Sequence, residues 1–140
     1  MANSEERRAL ESVCDEARSA GTLTSGQWSR LRSVFGERFD KAWRLVEEGR
    51  VKRYVFEPSG RTAWIIVGRG GEYRILPSAG YCSCNDFYFR VVDGDTGVCY
   101  HLIGQRLAEA LGSYDEVREP DEVHESLIAE WRSQLLEDGM

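Results

Sequence analysis

Residues 81–111 read YCSCNDFYFRVVDGDTGVCYHLIGQRLAEAL, and the spacing of the sulfur and imidazole side chains in this stretch decides how the chain folds. Cys82-Ser83-Cys84 and Cys99-Tyr100-His101 are two alternating pairs, separated by about fourteen residues. In extended backbone, residues two apart point to the same side, so each pair can grip one ion. Three thiolates and one imidazole form a tetrahedral set that suits zinc and leaves no position open for water. The spacing therefore predicts a structural zinc site on Cys82, Cys84, Cys99 and His101. A segment this short has no core of its own, so the metal supplies its closure and binding energy becomes folding energy.

Working outward, residues 4–20 lack Pro and Gly and repeat Leu10, Val13 and Ala17 at three- and four-residue steps, which predicts a helix closed by Gly21. Cys14 falls beside Val13 on the apolar face and reads as a small core residue. A second helical region spans 25–48. Trp28, Leu31 and Phe35 share one face, Gly36 interrupts, Phe39, Trp43 and Val46 resume, and Gly49 supplies the stop. The aromatic stripe reads as core. From Val51 the period changes to that of strands: VKRYVF, the turn residues Glu57-Pro58-Ser59-Gly60, then RTAWIIVG, then Arg69-Gly70-Gly71, then EYRIL. This is an antiparallel meander of three strands. FYFRVV at 87–92 is a further strand candidate, followed by the DGDTG turn. Residues 101–111 read as a helix ended at Gly112 and 113–119 as a polar link. Pro120 then opens a last helix in which Val123, Leu127, Trp131 and Leu135 recur every fourth residue. His124 lies among Asp121, Glu122 and Glu125 and reads as solvated.

The expected fold is α+β, a single domain over 1–140. It comprises a helical region at 1–49, a small antiparallel sheet of three or four strands beginning with the meander at 50–77, a zinc knuckle leading into a helix at 78–112, and a terminal helix at 119–138. With 140 residues, 41% of them hydrophobic, the chain can bury a modest core. No apolar run is long enough for a membrane span and the amino terminus is not a secretory signal, so the expected location is the cytoplasm, or the nucleus of a eukaryotic host.

The net charge of −6 argues against a surface dominated by phosphate contacts. The charge is uneven, however. Lys52, Arg53, Arg61, Arg69 and Arg74 cluster in the meander, while the carboxy-terminal third is acidic. These cations, with Arg90, are the ones a DNA-binding finger would use; otherwise they form a solvated strand face that can steer an acidic protein. Phe87, Tyr88 and Phe89 are consecutive, so in a strand they face both sides, and at least one is a candidate partner contact. The glycine-bearing turns lack the GxxxxGK[ST] spacing of a phosphate loop. With His101 and three cysteines committed to metal, no nucleophile retains a base, and the chain reads as a non-enzyme.

C-x-C, a spacer and then C-x-H is the signature of the SWIM-type zinc finger, which this chain resembles. FGERFDKAWRLVEEG at 35–49, YVFEPSGRTAWIIVG at 54–68 and YCSCNDFYF at 81–89 narrow the resemblance to the small SWIM subunits of Shu recombination-mediator complexes. It spans roughly residues 31–111. The family pattern continues C-x-H-x-x-A, and here that last position is Gly104, which can preserve close packing where Ala would touch its neighbour. The resemblance implies a non-catalytic zinc protein that binds a RecA-family recombinase paralogue in homologous recombination and DNA repair, with possible DNA contact within the complex. The alternative function is a module that binds DNA directly.

Overall fold

The structure, a computed structural model, describes residues 2–68, 71–77, 81–83 and 98–138. Three helices come first: α1 Ala2–Ala20, α2 Ser25–Phe35 and α3 Glu37–Glu47. The Thr24 hydroxyl accepts the Gln27 N–H at 3.1 Å, and the Gln27 side chain accepts the Thr24 N–H at 2.9 Å, so a capping box starts α2. Gly36 separates α2 from α3 with φ of 60°, a backbone angle that L side chains rarely adopt. The single expected helical region is thus two helices, whose aromatics meet across the break. The Trp28 ring stands edge-on to Phe39 at 4.7 Å and to Trp43 at 5.0 Å.

The strands are β1 Val51–Glu57, β2 Thr62–Val67, β3 Glu72–Leu76, β4 Tyr81–Cys82 and β5 Asp115–Pro120. Helix α4, Tyr100–Leu111, precedes β5; a 3₁₀ turn at Asp121–Val123 and helix α5, His124–Asp138, follow it. Among the described residues the sheet order is β4-β3-β2-β1-β5. The expected meander is present and antiparallel throughout, with Trp64 opposite both Arg53 and Ile75. The α+β class holds, but the sheet is mixed, because β5 pairs with β1 in parallel.

The stretch expected as a polar link is therefore an edge strand. Its side chains alternate between exposed and half-buried, so no apolar rhythm marks it. What sets its register is charge on the facing strand: Lys52 is opposite Asp115 and Arg53 opposite Glu116.

Strand β2 is covered on both faces, which explains its unbroken apolar run. Trp64 and Ile66 join Val51, Ile75 and the helices α1 to α4 in the main core. Ala63 and Ile65 join Phe56 and Trp131 on the opposite face, where Val123 and Leu127 pack as expected and Leu135 lies outside the described side chains. The anchor is Trp131, 1% exposed, whose indole N–H donates to Glu72 at 2.7 Å.

Helix α4 runs through the middle of the protein, with eight of its residues buried. A Cβ at Gly104 would lie 3.2 Å from Leu45 Cδ1 and 3.3 Å from the Ala42 carbonyl oxygen. Glycine at this position lets α4 and α3 approach backbone to side chain. Cys14 is fully buried and donates to the Arg106 carbonyl at 3.5 Å. Burial pushes its thiol up to about 12, against the pull of the Arg106 guanidinium. It is a core residue, as its helical position predicts. His124 differs from expectation: it is half-buried, edge-on to Phe56 at 4.7 Å, and its Nδ1 accepts from Arg61 at 3.2 Å.

Candidate metal centre

Two pieces of backbone bring the ligands together. Cys82 ends β4, paired with Ile75 of β3, and the next residue locks that end: the Ser83 N–H donates to the Arg74 carbonyl at 3.1 Å, while the Ser83 hydroxyl accepts the Arg74 N–H at 2.9 Å. Cys99 is the N-cap of α4 and His101 lies in its first turn. The C-x-H pair thus spans the change from extended chain to helix. Cys99 sits where the positive end of the helix dipole offsets thiolate charge.

The ligand atoms of Cys82, Cys99 and His101 all lie within 4.8 Å of one another, and all three residues are buried. Zinc–sulfur bonds of about 2.3 Å and zinc–nitrogen bonds of about 2.0 Å place tetrahedral ligands well inside that separation. Both ring nitrogens of His101 are buried without a hydrogen-bond partner among the described residues. An orphaned buried polar atom costs about 1–3 kcal/mol, a penalty that a metal bond removes. The donor set therefore fits a thiolate-rich metal site. Cys84, the fourth predicted ligand, lies outside the described residues, as do Arg69, Phe87, Tyr88, Phe89 and Arg90.

The surroundings hold the cluster in place. The Tyr73 ring lies 4.7 Å and the Tyr100 ring 4.1 Å from that of His101. One residue before Cys99, Arg38 of α3 donates to the Val98 carbonyl at 2.8 Å, and the Glu6 carboxylate of α1 accepts the Val98 N–H at 3.4 Å while pairing with the same guanidinium. Two helices thus grip the backbone that presents Cys99. Sequence reasoning did not find this clamp, because Glu6 and Arg38 are separated by 32 positions and each looks like an ordinary helix-surface charge.

The predicted basic strip fares differently. Lys52 pairs with Asp115 at 2.6 Å, Arg53 with Glu116 at 3.5 Å and Arg61 with Asp121 at 3.6 Å. Ser59 also donates its hydroxyl to Asp121, and these contacts, the hydroxyl bond foremost, hold that carboxyl below its usual range. Arg74 is half-buried, with its Nε lacking a partner among the described residues. The acidic carboxy-terminal segment therefore neutralises most of the described strip, leaving no continuous positive track along β1.

Comparison with known proteins agrees with the cluster. No family model matches the chain, and no solved structure is significantly similar to it. Curated proteins do match. The zinc finger SWIM domain-containing protein 7 homolog of Dictyostelium discoideum is 29% identical over 115 residues, 81% of this chain and 74% of the relative. Zinc finger SWIM domain-containing protein 7 of Mus musculus is 32% identical over 71% of this chain and 66% of its own length. The Danio rerio protein of the same name is 37% identical over 59% of each. With the buried Cys82, Cys99 and His101 cluster at the predicted spacing, these relatives establish that the chain belongs to the SWIM-type zinc finger proteins.

Proposed function

We propose that the chain is a zinc-binding adaptor without catalytic role, which docks a RecA-family recombinase paralogue and so supports homologous recombination and DNA repair. The observation that carries the zinc reading is the buried ligand cluster, in which the imidazole nitrogens of His101 have no other partner among the described residues. Cys84 completes the set. A closed site of three thiolates and one imidazole orders chain rather than activating water. Here Cys82 fixes the end of β4, Cys99 and His101 fix the start of α4, and in sequence the aromatics Phe87, Tyr88 and Phe89 fall between the two ligand pairs. The docking reading draws on the resemblance to Shu-complex SWIM subunits and on those aromatics, which follow Cys84 closely in sequence.

Elemental analysis of the purified chain is expected to give about one zinc per molecule. Cys82→Ser, Cys84→Ser, Cys99→Ser and His101→Ala each lower occupancy and stability, whereas Cys14→Ser keeps full occupancy. In a pull-down with the RecA-like paralogues of the host, wild type retains at least one and Cys84→Ser loses it. Capture by a zinc-free, folded variant, or none by wild type, refutes the adaptor mechanism.

A further inference from the structure

Beside the metal centre lies a cavity of about 440 Å³, between α3, the end of β2, β3 and the first turn of α4. That volume is within the range of about 300–1,000 Å³ typical of ligand sites. Its floor is aromatic: Tyr73 and Tyr100 line it, and both rings also pack on His101. Gly68 makes this floor possible, because a Cβ there would lie 2.6 Å from Tyr73 Cε2. The rim carries three cations, Lys41, Arg44 and Arg50, and one carboxylate, Glu48. Lys41 stands 5.7 Å over the Tyr100 ring, and neither Lys41 nor Arg44 has a carboxylate within salt-bridge distance among the described residues. Arg50 completes the rim but is paired with Glu48 at 2.6 Å.

We infer that this cavity is a docking site for an acidic protein segment, one that places carboxylates against Lys41 and Arg44 and an apolar side chain against the two tyrosines. Charge complementarity favours such a partner. Two cations with no ion-pair partner among the described residues line a concave, partly apolar wall whose one carboxylate, Glu48, is paired with Arg50, on a protein whose net charge is −6. A long polyanion needs a continuous positive track, and the cations of β1 and its hairpin are already neutralised by Asp115, Glu116 and Asp121. A short acidic segment needs only the local field. Because both rings of the floor lie against His101, loss of the metal disturbs the site. The inference rests on the adaptor reading, to which it adds the surface and the chemistry of the bound segment.

The test is fluorescence polarisation of the full zinc-loaded chain with a fluorescein-labelled peptide, Glu-Phe-Glu-Glu-Phe-Glu, and with an oligodeoxythymidylate of equal charge. Lys41 and Arg44 are exposed, so Lys41→Glu with Arg44→Glu is expected to keep the fold, at a small cost for each new like-charge pair on α3, which circular dichroism and thermal unfolding check. The expected result is saturable peptide binding, weakened at least tenfold by that double reversal and less than twofold by Lys52→Gln with Arg53→Gln. No peptide binding to wild type, or equal loss in the two double variants, overturns the inference. So does tighter binding of the oligonucleotide that the Lys41 and Arg44 reversal abolishes, which makes the cavity a nucleic-acid site. The adaptor reading is tested separately. If the charge reversal still captures the paralogue, this docking site fails and the adaptor stands; if wild type captures nothing, the adaptor fails and the polarisation assay alone decides the cavity.

Discussion

Substituting Arg38 by Ala removes the guanidinium that joins α1, α3 and the backbone entering the metal site. The bond to the Val98 carbonyl is 2.8 Å long, and the side chains of Arg38 and Glu6 are 22% and 15% exposed. A charge-assisted hydrogen bond contributes about 1.5–3 kcal/mol, and partial exposure places this one toward the lower end. We expect Arg38→Ala to lower unfolding free energy by about 2 kcal/mol, and Glu6→Gln, which keeps the volume and loses the charge, by about 1 kcal/mol. Groups that act on a metal through its ligands typically change affinity by about 10–100-fold. Loosening Val98 frees Cys99, so zinc affinity in Arg38→Ala should fall about tenfold. Urea unfolding, run as a double-mutant cycle on Glu6 and Arg38, measures the first effect, and competition with a chromogenic chelator measures the second. Unchanged zinc affinity, with a coupling energy below about 0.5 kcal/mol, refutes the clamp.

Three further outcomes follow from packing and burial. Gly104→Ala should destabilise by up to about 1 kcal/mol in thermal unfolding, although Ala is the better helix former by a similar amount, because its Cβ meets Leu45 and the α3 backbone; stabilisation would refute that close approach. Trp131→Ala should cost about 3–5 kcal/mol in urea unfolding, and the wild-type minus Trp131→Phe emission difference should be that of a buried indole in the lone protein, since Trp131 is already covered by its own sheet. Cys14, raised from 9.0 to about 12, holds its proton in the folded state more tightly than in the unfolded one. Its contribution is complete below pH 9 and lost as pH rises toward 12, so wild type should lose stability relative to Cys14→Ala across that window, as followed by denaturant titrations at stepped pH.

The meeting of Cys82 with Cys99 and His101, the helix ends at Gly21, Gly49 and Gly112, the antiparallel meander and the covered face of α5 were all legible from local spacing. Each is written within a few residues. Strand β5 was not, because a charged edge strand has no apolar period and its partner β1 is remote in sequence. The same remoteness hid the fate of the basic strip. Lys52 and Arg53 look free until Asp115 and Glu116 arrive opposite them. His124 was misplaced for a related reason, since its neighbours in sequence are acidic while its neighbours in space are Phe56 and Arg61. In these cases a local pattern set the expectation and a long-range contact decided the outcome.

The pairing of β1 with β5 joins Lys52 to Asp115 across 63 positions, and the metal ligands lie inside that span. The protein thus contains an outer closure fixed by strand register and charge, and inside it a second closure that a metal on Cys82, Cys99 and His101 would fix. Closing a loop costs entropy that grows only with the logarithm of its length. A bond between Cys82 and Cys99 shortens the outer path by about a quarter, which changes its closure cost by about 0.3 kcal/mol. The two closures are nearly independent. Without metal, the β1–β5 pairing would still keep β4 and the start of α4 on one scaffold, so metal capture would require only a local search by a short stretch of chain.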